Sequence, residues 1–203
     1  MDSQSLPVLM ILPEFAPINT TGNFRALKFV KYLTDFGITP IVVTVEENFG
    51  AAYFKAKIDK GLLTEVPANC IIYRISCNYR VPTRNKLRSF IEIFFSIKDN
   101  LPGIWKSQLE KTIVEVIEKH RPKLMFTSLP PFSSGLLVSD FAKKFRLPYI
   151  VDMRDLWAHW GLAPKGSYLL YFLTLQEERK IFASASAVVA VTPQMIDVFN
   201  RYH

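Results

Sequence analysis

Along this chain short apolar runs alternate with longer amphipathic segments, and that alternation constrains the fold more than any single motif does. The runs fall at 8–12, 40–45, 70–75, 124–127, 149–151 and 188–191. Most are apolar throughout, without the polar alternation of a half-solvated strand, so they read as strands of a parallel sheet covered on both faces. Between the first two, Phe24, Leu27, Val30, Leu33 and Phe36 recur at helical spacing and Gly37 supplies a stop signal, which predicts one helix over 22–36. A weaker helical segment follows at 51–62, then a polar turn at 65–69. Further helices are predicted at 83–98 and 104–120, with a break at Asn100, Pro102 and Gly103, and at 132–145 and 168–183. A last one starts at Pro193 with Thr192 as its N-cap. Strand, helix, strand in this order makes βαβ units, and the fold class is α/β with an open parallel sheet of about six or seven strands and helices on both faces.

Composition agrees. An apolar fraction of 49% with 13% aromatics excludes a disordered chain, and 203 residues suit one domain, 1–203, better than two. Cys70 and Cys77 lack the spacing and partners of a zinc or redox site, so they read as two reduced thiols, with Cys70 opening a buried strand. Residues 1–7 carry no basic leader, and the longest apolar stretches, 91–97 and 168–175, are too short to span a bilayer. The expectation is a cytoplasmic protein, peripheral at most on the inner face of the cytoplasmic membrane. The last predicted helix runs to His203 without a capping glycine or closing strand, which fits either a fraying end or one half of something larger.

Three strand ends carry polar chemistry. After the first strand, the loop 13–25 ends in Gly22, Asn23, Phe24 and Arg25; a small-residue turn opening a helix lets backbone N–H groups reach a phosphate or a sugar hydroxyl. A glycine-rich dinucleotide fingerprint is absent. Gly22 otherwise serves only a tight turn, and Arg25, a cation near a helix N-terminus, should face a ligand or a carboxylate. After the fourth strand come Ser128, Pro130, Pro131, Ser133 and Ser134. The last two read as helix caps, and Ser128 as a cleft contact. After the fifth, Asp152, Arg154, Asp155, Trp157 and His159 follow in quick succession. Carboxylates flanking a guanidinium suit sugar hydroxyls or phosphate, and tryptophan faces suit sugar rings. The plain alternative is an internal ion pair, Asp152 with Arg154 or Arg154 with Asp155. His159 reads as a surface residue, and no third ligand completes a metal site.

A basic and aromatic stretch completes the inventory. Between Tyr79 and Lys106 six cations, among them Arg80, Arg84, Lys86 and Arg88, face two acids, a local excess of four out of the chain's net +7. Phe94 and Phe95 lie within it. Cations leading into an apolar helix suit an anionic membrane surface; a core helix with a solvated basic lead-in is the alternative. Nucleic acid is a poorer match, because no recognition motif accompanies the charge.

Taken together, Glu14-Phe15-Ala16-Pro17, Gly22-Asn23-Phe24-Arg25, Gly37 to Thr44, Ser128-Leu129-Pro130-Pro131, Arg154-Asp155-Leu156-Trp157, and Glu178 with Ala185 to Thr192 carry a resemblance. It is to the N-terminal domain of family 4 retaining glycosyltransferases of the GT-B fold, in particular bacterial enzymes that build surface polysaccharides. Ile38, Pro40 and Ser186 depart from that family's usual residues, and the glycine run is reduced to Gly22. The resemblance implies a Rossmann-like domain on the acceptor side of a two-domain enzyme. It implies a nucleotide-sugar donor as substrate of the longer enzyme, a glycan or lipid-linked acceptor, a C-terminal donor-binding domain as partner, and neither a metal nor another cofactor. Arg154 and Asp155 would face the reacting sugars, with Gly22, Asn23, Arg25, Ser128, Trp157 and Glu178 binding substrate. A stand-alone Rossmann-like module that binds carbohydrate or protein without catalysis is the competing reading.

Overall fold

A computed structural model of the protein describes residues 5–77, 101–159 and 168–203. The strands are β1 (Leu6–Ile11), β2 (Ile18–Asn19), β3 (Ile38–Val45), β4 (Lys57–Ile58), β5 (Ile71–Ile75), β6 (Leu124–Leu129), β7 (Tyr149–Met153) and β8 (Ala187–Ala190). The helices are α1 (Thr21–Leu33), α2 (Glu47–Phe54), α3 (Leu101–His120), α4 (Phe132–Phe145), α5 (Tyr168–Ser184) and α6 (Pro193–Tyr202). Six strands form one parallel sheet in the order β5-β3-β1-β6-β7-β8, and β2 and β4 make a separate antiparallel pair. The α/β expectation and the count of six parallel strands therefore hold.

Alternation along β1 shows how both faces are covered. Leu9 and Ile11 face a core shared with Trp105, Leu109 and Ile113 of α3, Leu137 and Phe141 of α4, Ile181 of α5 and Phe199 of α6. Val8, Met10 and Leu12 face the other way, against Ala26, Leu27 and Val30 of α1. The parallel βαβ crossovers put helices on both faces and leave the central strands no solvated side.

Several boundaries differ from the sequence reading, each for a local reason. The first helix starts at Thr21, where the Thr20 hydroxyl accepts the Asn23 N–H; it stops at Leu33, and a 3-10 turn, Thr34–Phe36, leads into Gly37 at φ 73°. Of its expected apolar stripe only Leu27 and Val30 are buried; Phe24 is 44% and Phe36 80% exposed. The helix expected at 51–62 is instead α2, which ends at Lys55 in the left-handed conformation. The chain then pairs with Ile18–Asn19 and enters a 3-10 turn at Lys60–Glu65, capped by Asp59 accepting the Gly61 N–H. Pro102 and Gly103 do not break α3 but lie in its first turn, where proline's missing N–H costs nothing. Ser133 and Ser134 do not cap α4: Pro131 occupies the cap position, and both serines are buried in the first turn. Thr192 caps α6 as expected, accepting the Met195 N–H at 3.3 Å.

The helix expected at 83–98, with Arg80, Arg84, Lys86, Arg88, Phe94 and Phe95, lies outside the described residues. Among those described, no helix is long and apolar enough to cross a membrane.

Both cysteines are free and half-buried, Cys70 one residue ahead of β5. Burial pushes the Cys70 thiol up to about 12 and, with a smaller push from Glu46, the Cys77 thiol to about 11. At pH 8 both should therefore react with a thiol reagent at least about tenfold more slowly than free cysteine, the scarcer thiolate outweighing its greater nucleophilicity. Stopped-flow absorbance with an aromatic disulfide checks this, and two fast equivalents would contradict it.

Candidate functional site

Because the strands run parallel, the segments after β1, β6 and β7 emerge at one edge of the sheet, where α1 begins. They enclose a cleft of about 470 Å³. Glu14, Thr21, Gly22 and Arg25 line it from the β1–α1 side, Pro130, Arg154 and Asp155 from the β6 and β7 ends, and Val191 from beyond β8.

Arg25 spans from α1 to the end of β7. Its Nε lies 3.0 and 2.9 Å from the two oxygens of Asp152 and its Nη2 2.7 Å from Oδ1. The Asp152 carboxylate has no solvent exposure, and the Ser128 hydroxyl donates to its Oδ2 at 2.7 Å. The hydrogen bonds to Asp152 raise the Arg25 pKa above its ordinary value against the opposing effect of burial. The guanidinium carbon also lies 5.0 Å from the centre of the Phe29 ring.

Arg154 is held by a different set. Its backbone N–H and its Nε both donate to Leu129 O, at 2.9 and 3.2 Å, and its Nη2 donates to Glu14 Oε1 at 2.8 Å and to Pro130 O. The guanidinium lies directly over Gly22, where a Cβ would fall 1.7 Å from Nη1. Gly22 thus leaves room for the Arg154 guanidinium, which a side chain at this position would force to shift. Asp155 is exposed at the rim of the same cleft.

Of the residues named from the sequence, the structure brings Gly22, Arg25, Arg154 and Asp155 together in the cleft. It sets four others behind the wall. Asn23 is fully buried in α1, and its side-chain amide has no hydrogen-bond partner. Ser128 is buried and committed to Asp152. Trp157 is buried, its ring stacked on Phe132 at 5.2 Å between centroids and 5° between planes. Glu178, fully buried in α5, accepts the N–H groups of Trp157 and Ala158 at 3.2 and 3.0 Å. Neither expected internal ion pair forms, since Asp152 takes Arg25 and Arg154 takes Glu14. His159 is half-buried: its Nε2 lies 2.9 Å from the Tyr171 hydroxyl, and burial pushes its pKa down.

Glu14 was missed as a site residue. Its signal was available, since it is the only acid between the first strand and Arg25.

The Gly22–Arg154 contact generates a test. Gly22→Ala should destabilise the fold by urea denaturation, although alanine is the better helix former by about 1 kcal/mol. In an Arg154→Ala background the same change should be neutral or stabilising, because the overlapping group is gone. Equal effects in both backgrounds would contradict the contact.

Residues 68–202, more than half of the chain, match the family model of a glycosyl transferase 4-like domain. No curated protein matches the sequence. Among solved structures, a sucrose-phosphate synthase from Thermosynechococcus elongatus superposes with a TM-score of 0.56 at 12% identity, over 97% of this chain and 45% of its own. UGT73P12 of Glycyrrhiza uralensis, solved with glycyrrhetinic acid 3-O-monoglucuronide, gives a TM-score of 0.52 at 12% identity, over 97% of this chain and 46% of its own. The chain thus spans less than half the length of either, and the likeness is one of fold, the Rossmann-like layer of GT-B glycosyltransferases. With the sequence match over β5 to α6, it follows that this chain belongs to the glycosyl transferase 4-like domain family.

Proposed function

We propose that this chain is the acceptor-side domain of a retaining glycosyltransferase. The enzyme would move a sugar from a nucleotide-sugar to a glycan or lipid-linked acceptor in cell-surface polysaccharide synthesis, with a C-terminal domain holding the donor. The observation that carries the reading is the charge balance of the cleft. Its two guanidiniums, Arg25 and Arg154, are each paired to a carboxylate, Asp152 and Glu14, while Asp155 is exposed beside them. A site so neutralised favours a polyhydroxyl ligand over a free anion. Hydroxyls can donate to Asp155 and Glu14 and accept from the remaining guanidinium N–H groups. Arg154, held by Leu129 O and Glu14, is suited to stabilise charge that develops as a sugar is transferred.

The decisive experiment joins residues 1–203 to a donor-binding domain. Arg154→Ala should leave the fold intact by circular dichroism and lower kcat by about two to three orders of magnitude. Residues 1–203 alone should show no turnover. Near-normal activity of the variant would remove Arg154 from the chemistry.

The basic, aromatic stretch extends the reading to a peripheral position on an anionic membrane surface. The chain should float with phosphatidylglycerol-containing vesicles at low salt and be released as salt rises. No flotation at low salt would overturn that part alone.

A further inference from the structure

The carboxylate of Glu178 is fully buried in the middle of α5, and the function proposed for the cleft does not use it. A buried charge in a helix interior is costly unless every lone pair is occupied. Here Oε2 accepts two successive backbone N–H groups, those of Trp157 and Ala158. Oε1 lies 2.7 Å from Nε2 of His203, at the end of α6, whose side chain is 8% exposed. The His203 ring is in turn packed by Phe182 of α5, 4.4 Å away, and Phe199 of α6, 6.1 Å away. The same helix end is pinned a second time, because Arg179 donates twice to Tyr202 O, at 3.0 and 2.9 Å. The Tyr202 ring lies 4.2 Å from that of His159.

The loop so held begins with Arg154 and Asp155. Its anchors include Leu129 O on the Arg154 N–H, the Arg154 side chain on Glu14, Phe132 under the Trp157 ring, the Tyr171 hydroxyl on His159, and Glu178 on the amides of Trp157 and Ala158. Of the polar anchors, Glu178 is the one that leads to α6, through His203; the Tyr202 ring adds a packing contact on His159. We infer that Glu178 is a positioning residue for the Arg154–Asp155 loop and that His203 holds it in that role, so that the end of α6 governs the geometry of the cleft. The consequence for turnover rests on the glycosyltransferase reading; the hydrogen-bonded strut itself does not.

Amide hydrogen exchange by NMR on the whole chain separates the two. His203→Ala should raise exchange at Trp157 and Ala158 roughly tenfold or more, the effect of losing one hydrogen bond to a charged group. Amides of Leu137 to Ala142 in α4 should stay within about threefold of their original rates, which excludes global loosening. His203→Gln, whose amide can donate in place of the imidazole, should restore the two loop amides to within about threefold. Glu178→Gln removes the charge without the volume and should shift both loop amide protons upfield. In the two-domain enzyme, His203→Ala should lower kcat, and His203→Gln should recover it. Loop exchange unchanged in His203→Ala, a uniform rise across α4, or no recovery with glutamine would each overturn the strut. Altered exchange in an enzyme without transferase activity would instead overturn the proposed function and leave the strut standing.

Discussion

A carboxylate with no solvent exposure sits at the carboxyl end of β7, and the architecture of the cleft depends on how that burial is compensated. Asp152 is tolerable there because Arg25 reaches it side-on through two nitrogens and Ser128 completes its hydrogen bonds. Removing one partner of such a pair leaves an unmatched buried charge, a loss of about 3–5 kcal/mol. The pair links α1, β6 and β7, elements far apart in sequence. It thereby sets α1 close enough to the strand ends for Gly22 to pass beneath Arg154. Two arginines near one another repel; here each is screened by its own carboxylate.

The strands were legible because continuous apolar runs have few other uses in a chain of this composition, and all six parallel strands lie within two residues of their expected start. What the pattern could not reveal was decided by tertiary contacts. Lys55 in a left-handed conformation ends α2, and the pairing of Lys57–Ile58 with Ile18–Asn19 converts an expected helix into an edge strand. Neither has a local signature, since lysine rarely adopts positive φ and a two-residue strand has no period. The exposed Phe24 and Phe36 show the converse: helical spacing alone does not say which side of a helix meets the sheet.

The site was legible as a place more than as a set of roles. Polar and aromatic residues crowding three strand ends located the cleft, and Arg154 and Asp155 are indeed in it. Ser128, Trp157 and Glu178 belong to the same neighbourhood but support it from behind. A buried carboxylate accepting backbone amides and an exposed one facing a ligand are the same letter in a sequence. Burial separates them, and burial depends on the fold as a whole. Glu14 illustrates the reverse error, a lone acid in a loop that becomes the partner of the cleft's best-fixed cation.

Charge is unevenly distributed along the sequence. The cleft and its immediate support hold two arginines against Glu14, Asp152 and Asp155, so they take no share of the chain's net +7. Four of that excess fall between Tyr79 and Lys106 instead. A strongly cationic cleft would draw in any phosphate or polyanion and would oppose the exchange of a neutral sugar. Clustered cations attract an anionic partner at long range without shape recognition, while the paired ions of the cleft act only within hydrogen-bonding distance. Ionic strength therefore separates the two physically. Salt weakens the first within a Debye length of about 10 Å, and the buried or partly buried pairs that shape the cleft are screened far less.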